Sequence, residues 1–352
     1  MQRILVIRAG ALGDTLMATP VVPALAQRYP GARIDFLASA QAAPLLEGVA
    51  GIGRLVTLRQ RNIPYWLSPE KLALVRRLRR ERYDLAVVLE HAPRYYELVE
   101  RAGVPRVAGF RFTPFDPARH SIANNLRASG FEDADRHDWR MLITAANEEF
   151  PPAKRLLADR LTDTRADGPA PLVGVHAGYG PARRKKDQER RLRGWALDNF
   201  ATVAARALER GARVVLTGSR EDRPIVDRLA AMLPPEHVYP FAGEMTLRQS
   251  VWLIRRLDAF VSVDSGPAHM AAAVGTPLVV VWGPGIFEQT RPIASAGPVE
   301  VVREPVDCAP CYGTPMMKAC RRNICMEAVT PDRVLDALER ALTARRSLRP
   351  PA

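Results

Sequence analysis

The sequence predicts an α/β protein built from two doubly wound halves, each a parallel sheet with helices on both faces. Three observations carry this expectation. The chain has 352 residues, more than one ordinary domain holds. Short apolar runs alternate with helical patterns, which is the rhythm of a parallel sheet fed by crossover helices. That rhythm stops across a polar stretch at 146–171 and then starts again.

The elements follow in order. Residues 4–8 read as a first strand and 14–29 as a helix, ended by Pro30-Gly31. Residues 33–38 and 54–58 are the next strands. Residues 71–82 are helical, with Leu72, Val75 and Leu78 on one face. Residues 84–90 (DLAVVLE) have the continuous apolar character of a fully buried strand, and 106–110 form another. Around the join, Pro151-Pro152 and the run Asp167-Gly168-Pro169-Ala170-Pro171 break the pattern, and Leu156, Leu157 and Leu161 mark a helix between them. The second half then gives strands at 172–176, 213–217, 258–263 and 278–282. A helix at 196–209 sets Phe200, Val203, Ala204, Ala207 and Leu208 on one face. A last helix, 331–342, opens on Thr330 as cap and Pro331.

Composition narrows the class. Hydrophobic residues make up 47% of the chain, enough for sizeable cores and too many for a disordered protein. No run of 18 uninterrupted apolar residues indicates a membrane span. The start faintly resembles a signal peptide, but Arg8 and Asp14 break its apolar core, so a cytoplasmic protein is expected. The formal charge is +13, from 51 basic against 38 acidic residues, which favours an anionic partner or else reflects solvated arginine-rich helix faces such as LVRRLRRERY. Nucleic acid is not expected. There is no helix-turn-helix signal, no RNA-binding aromatic signature and no interleaving of arginine with aromatics. The four cysteines, Cys308, Cys311, Cys320 and Cys325, fall within one short segment. Their spacing allows a structural zinc site but is not that of a standard ribbon, and reduced thiols in a loop are the other reading.

The candidate chemistry sits at strand ends. A P-loop and a G-x-G-x-x-G fingerprint are both missing, which disfavours an ATPase or a dehydrogenase. After the first strand come Gly10, Gly13 and Asp14. The glycines let a ligand approach the backbone. Asp14 falls at or just inside a helix start, where the dipole favours a negative charge. It is either a helix cap or a base that accepts a proton from a sugar hydroxyl. The segment VSVDSGPAHMAAAVGTPLVVVW (261–282) is the strongest signal. Strand, tight turn and helix start gather unpaired N–H groups at Asp264, Ser265 and Gly266, a seat for phosphate. Asp264 would repel a phosphate, so it suits amides or ribose hydroxyls. His269 stands in the first helical turn, as a ligand contact or as a core histidine. Gly178 begins a turn followed by a basic run in which Arg183, Arg184, Lys185, Lys186, Arg190, Arg191 and Arg193 can grip a diphosphate or remain solvated. In GSRED (218–222), Glu221 and Asp222 can accept from ribose hydroxyls or favour a helix start.

Taken together, these segments resemble glycosyltransferase family 9, the heptosyltransferases of lipopolysaccharide core assembly. The likeness spans nearly the whole chain. It is strongest in ILVIRAGALGDTLMATPVVPAL and FVSVDSGPAHMAAAVGTPLVVVWGP, with TGSRED and the CAPC…C…C segment adding to it. The resemblance implies two facing Rossmann-like halves, the GT-B architecture. Residues 1–150 would bind the acceptor, 151–171 would link, 172–330 would bind the nucleotide sugar, and 331–352 would close the chain as helix and tail. It implies inverting transfer without metal or cofactor, from ADP-heptose to a lipid A-core or other glycan acceptor. It implies Asp14 as general base and the 264–269 turn as diphosphate site. A relative using another nucleotide sugar, or a non-catalytic nucleotide-sugar-binding protein, is the alternative. The positive surface would make a peripheral contact with the anionic inner face of the cytoplasmic membrane. In the family a basic residue directly precedes Trp-Pro. Here Gly194 separates Arg193 from Trp195 and Ala196 replaces the proline. Arg193 is the residue expected to meet the phosphate.

Overall fold

The computed structural model describes residues 2–60, 63–144, 170–178 and 192–348. The chain divides into two compact units, Met1–Ala145 and Ala146–Ala352. The expected helix at Leu156, Leu157 and Leu161 lies outside the described residues.

The first unit contains strands β1 (Arg3–Arg8), β2 (Arg33–Ser39), β3 (Leu55–Leu58), β4 (Leu85–Val88) and β5 (Val107–Gly109). They form one sheet in the order β3-β2-β1-β4-β5, with every pair parallel. β1 lies at the centre, Ile4 opposite both Ile34 of β2 and Leu85 of β4. Because helices cover both faces, β1 and β4 are apolar at nearly every position rather than alternately.

The long helix expected at 14–29 is instead two, α1 (Leu12–Ala18) and α2 (Val21–Arg28). Pro20 is the reason. It has no N–H to give to the carbonyl of Leu16, and its ring crowds the preceding turn. The Leu16 carbonyl accepts instead from the amide and the hydroxyl of Thr19, at 3.0 and 2.6 Å. Next, α3 (Pro69–Glu81) starts on a Ser68 cap and ends at Arg82 in the left-handed region. Its buried face is Lys71, Leu74, Val75 and Leu78, whereas Leu72, expected inside, is exposed. The one-face expectation failed because Leu72 and Leu74 lie about 200° apart on a helix, and the sheet took Leu74. Helices α4 (Pro93–Arg101) and α5 (Ser121–Ala128) complete the unit.

A polar network ties β2 to α3. Arg33 reaches Asp35 at 2.8 Å and Glu81 at 2.7 Å, Arg54 pairs with Glu81, and the Tyr83 hydroxyl donates to Asp35 at 2.6 Å. Asp35 is fully buried, so its charge depends on these partners. The Arg33 guanidinium, hydrogen-bonded to Glu81, holds that carboxyl below its usual range. A carboxyl depressed in the folded state stabilises fully above its unfolded pKa. That contribution is lost as pH falls through the folded value. Glu81→Gln should therefore cost about 1.5–3 kcal/mol at neutral pH. It should also flatten the acid side of a stability-against-pH curve measured by urea unfolding. An unchanged acid limb would show that the network contributes no linkage.

The second unit contains β6 (Leu172–His176), β7 (Arg213–Leu216), β8 (Val238–Pro240), β9 (Ala259–Val263), β10 (Leu278–Val281) and β11 (Val299–Val302). The order is β11-β10-β9-β6-β7-β8, again all parallel. Helix α6 (Leu197–Glu209) lays Phe200, Val203, Ala204 and Ala207 onto the sheet, with Leu208 half-buried at the margin. Helices α7 (Arg223–Ala231), α8 (Leu247–Arg256) and α9 (Gly266–Val274) follow. Then come the short α10 (Phe287–Thr290), α11 (Pro315–Ala319) and α12 (Ile324–Glu327). The last helix, α13 (Pro331–Leu348), runs past its expected end at 342 and packs on α6, β9, β10 and β11. No described helix is long and apolar enough to cross a membrane.

Candidate active site

In both sheets the strand order reverses once, between β1 and β4 in the first and between β6 and β9 in the second. Loops leaving the carboxyl ends of those two strands diverge, and the crevice left between them is where open α/β sheets hold ligands. The sequence-predicted residues fall on these loops.

In the first unit, β1 ends at Arg8 and α1 starts at Leu12. Asp14 is the third residue of α1, and Ala11, which has no capping side chain, is the N-cap. Asp14 thus lies inside the helix start, and one of its oxygens accepts from the Ala11 amide at 3.3 Å. The other is 3.2 Å from the Arg8 guanidinium. The Asp14 side chain is still 41% exposed, so the carboxylate is both oriented and reachable. Arg8 is itself anchored by the Leu89 carbonyl and stands 4.0 Å from Glu90, whose other oxygen accepts from the Ala9 amide at 2.7 Å. Gly10 leaves room for the Arg8–Asp14 pair. A Cβ at that position would lie 3.0 Å from the Asp14 carboxylate and 3.3 Å from the Arg8 guanidinium. Gly13 is buried in the first turn of α1.

His91 was missed in the sequence. It follows β4 at the same edge, and its ring stacks on Phe110 at 4.5 Å with Phe115 edge-on at 5.7 Å. Burial, with the charge of Arg8, pushes its imidazole below the usual range, and Asp14 pulls the other way. The signal was available: His91 comes directly after the buried run DLAVVLE, at the carboxyl end of a central strand.

In the second unit, β9 runs into Asp264 and Ser265, and Ser265 is the N-cap of α9. The Ser265 hydroxyl does not cap the helix. It shares a hydrogen bond with Ser262 at 3.0 Å. The first-turn amides of Gly266 and Ala268 are therefore not covered by the cap side chain, and the helix dipole adds partial positive charge there. Asp264 is 10% exposed and lies 3.4 Å from the Arg193 guanidinium. Gly285 makes room for it, since a Cβ there would come within 2.8 Å of the carboxylate. His269 is buried in the first turns of α9.

Arg193 is held from three sides. Asp264 pairs with it, the Tyr312 ring lies 5.1 Å from its guanidinium, and the chain just after it is pinned. Asn323 donates to the Gly194 carbonyl at 3.2 Å, and the buried Trp195 indole donates to Val329 at 2.9 Å. The rest of the basic run, Arg183, Arg184, Lys185, Lys186, Arg190 and Arg191, lies outside the described residues.

Gly178 follows β6, and a Cβ there would strike the Asp222 carboxylate at 2.5 Å. Asp222 is buried and turned inward, accepting from the amide and hydroxyl of Ser219 at 2.9 and 2.7 Å. Of the two acids in GSRED, Asp222 thus closes its own turn and Glu221 is the exposed one. Beneath them His176 is buried against Thr217, and desolvation lowers its pKa against the opposing pull of Asp222.

The cysteine segment forms a wall of this region. The amides of Cys311 and Tyr312 both donate to the Pro284 carbonyl, at 3.1 and 3.0 Å. None of the four thiols is in a disulfide. Among the described residues no three His, Cys, Asp or Glu side chains are grouped so as to hold a metal ion. The thiols lie near one another, since burial and then the neighbouring Cys308 and Cys320 raise the Cys311 thiol above its usual range. Cys325 packs in the core, where burial pushes its thiol up to about 11, and Cys320 turns to the Arg322 carbonyl.

Two all-parallel Rossmann-like units, one with an exposed carboxylate at its switch point and the other with an uncapped helix start beside an arginine, match the GT-B architecture. Comparison with known proteins makes this specific. The profile for glycosyltransferase family 9 (heptosyltransferase) matches residues 185–319. Lipopolysaccharide heptosyltransferase 2 of Escherichia coli (strain K12) is 28% identical over 320 residues, covering 83% of this chain and 86% of the relative. The solved structure of E. coli ADP-heptose lipopolysaccharide heptosyltransferase II superimposes with a TM-score of 0.75 at 24% identity, over 98% of this chain and 100% of that one. A glycosyltransferase family 9 structure from Veillonella parvula gives 0.79 at 19% identity, over 97% of each chain. The chain is thus similar to glycosyltransferase family 9, by profile over residues 185–319 and by relatives over most of its length.

Proposed function

We propose that this glycosyltransferase moves a heptose from ADP-heptose to a lipopolysaccharide core acceptor, with inversion at the anomeric carbon. The observation that carries the reading is the β9–α9 turn, where amides left uncovered by Ser265 lie beside Arg193. A diphosphate leaving group needs such a seat, because its charge grows as the glycosidic bond breaks. The relatives support the choice of sugar, since one is named for lipopolysaccharide heptose transfer and one solved neighbour for ADP-heptose.

The steps follow from the residues. The acceptor hydroxyl oxygen attacks the anomeric carbon, and its proton passes to the Asp14 carboxylate. The carbon–oxygen bond to the diphosphate breaks, and the electron pair leaves with ADP. Amides of Gly266 and Ala268, with Arg193, receive the departing charge. Glu221 is the candidate for the ribose hydroxyls. Asp264 holds Arg193 in place rather than meeting phosphate. The first unit is assigned the acceptor and the second the donor. The enzyme would work at the inner face of the cytoplasmic membrane.

The test is a donor profile. The purified chain is given ADP-heptose or other nucleotide sugars, with and without a heptose-bearing core acceptor, and free ADP is measured. ADP release that requires both ADP-heptose and acceptor is expected. Tight donor binding with no release under any condition would make the chain a nucleotide-sugar-binding protein instead.

A further inference from the structure

One surface of the first unit is used by neither the core nor the candidate site. Residues Tyr65–Leu67 form a single turn leading into α3, and Trp66 and Leu67 on it are 64% and 57% exposed. Ile63 and Leu72 beside them are exposed as well. The turn is fixed from below. The Ser68 amide donates to the Tyr65 carbonyl at 3.1 Å, the Lys71 ammonium donates to the Ile63 carbonyl, and the Arg101 guanidinium lies 3.7 Å from the Tyr65 ring. The backbone therefore presents the indole outward.

The helix continues the surface with charge. Leu72, Arg76 and Arg79 form one row of α3, and Ala73, Arg77 and Arg80 the next, all exposed. Arg76, Arg77 and Arg80 make no ion pair among the described residues. The two acids of the segment are occupied elsewhere. Glu70 accepts from the amides of Arg59 and Gln60 at 2.8 and 2.7 Å, and Glu81 belongs to the Arg33–Arg54 network. What remains is an apolar wedge at one end of an arginine face. A wedge of tryptophan and leucine fits the headgroup–acyl boundary, and arginines spread along a helix fit a plane of mobile phosphates.

We infer that Trp66, Leu67 and the arginine face of α3 dock the first unit on an anionic lipid bilayer. This rests on the proposed function, in which the acceptor is itself a membrane lipid, and it names the surface that brings the enzyme to it.

The experiment sediments the full chain with vesicles of phosphatidylcholine alone, or of equal parts phosphatidylcholine and phosphatidylglycerol. Transfer to a water-soluble acceptor lacking acyl chains is measured in parallel. The parent should bind the anionic vesicles and not the neutral ones, and lose binding as salt rises. The triple variant R76Q/R77Q/R80Q should bind about a hundredfold more weakly, taking about fivefold for each basic residue near an anionic surface. The double variant W66S/L67S should lose about tenfold or more. Both variants should keep the parental rate on the soluble acceptor. A parent that ignores anionic vesicles, or variants that sediment like it, would overturn the docking surface and leave the transfer reading standing. Variants that lose rate on the soluble acceptor would also overturn it, since the patch would then belong to acceptor binding. A parent inactive on every acceptor would instead defeat the proposed function.

Discussion

Asp14→Asn is expected to lower kcat by about a thousandfold, within the usual range for loss of a general base. The substitution keeps the size of the side chain and keeps an oxygen to accept from the Ala11 amide. It removes the proton acceptor and the charge facing Arg8. Stability should hardly move, because an exposed pair of this kind is worth about 0–1 kcal/mol. Donor affinity should not move either, since every donor contact proposed here lies in the second unit. The measurement is steady-state kinetics with ADP release, beside a thermal melt and a donor titration. A variant with full turnover would remove Asp14 from the chemistry. A variant that binds donor tenfold worse would show that the carboxylate acts on the donor and not on the acceptor.

Arg193→Ala should reduce kcat/KM by about 100-fold or more, the scale seen when one charge-stabilising donor is deleted from a site of this kind. The effect should fall on kcat as well as on donor KM, because charge on the diphosphate grows toward the transition state. Arg193→Lys should recover part of it, supplying charge without the planar fork. Tyr312→Ala tests the support beneath. With the ring 5.1 Å away, its loss should cost roughly 0.5–2 kcal/mol, up to about thirtyfold in kcat/KM. If Arg193→Ala matched the parent while Glu221→Ala did not, the phosphate contact would pass to the basic residues that precede Arg193.

The strands were legible because buried parallel strands leave a simple trace: 85–89 and 278–282 are apolar at successive positions. The misreadings have the opposite cause. Edge strand β8 is three residues and ends in proline, and β11 reads Val-Glu-Val-Val with one solvent-facing side, so neither forms an apolar run. The break between α1 and α2 was written in Pro20 and overlooked, because the apolar periodicity continues across it. Leu72 was placed inside since its spacing to Val75 fits a helical face. The choice between Leu72 and Leu74 depends on which side the sheet lies. The long arginine-rich α3 was read as charge, but the sorting of that charge into paired and unpaired members required knowing where Glu70 and Glu81 turn.

The sequence by itself determined the two wound sheets, the loops at which Asp14 and Asp264–Gly266 stand, and the family those loops resemble, because local patterning and short motifs reach no further than neighbouring turns. Only the tertiary structure decided that Asp14 pairs with Arg8 while staying accessible, that His91 comes to the same edge, that Asp222 turns inward, that Tyr312 lies under Arg193, and that Cys325 is buried in the core. Some of these join residues far apart in the chain, as Tyr312 and Arg193 are, and others, such as Asp14 with Arg8 or Asp222 with Ser219, depend on how a turn folds back. Their distances are fixed by strand order and packing, and no spacing along the chain records them.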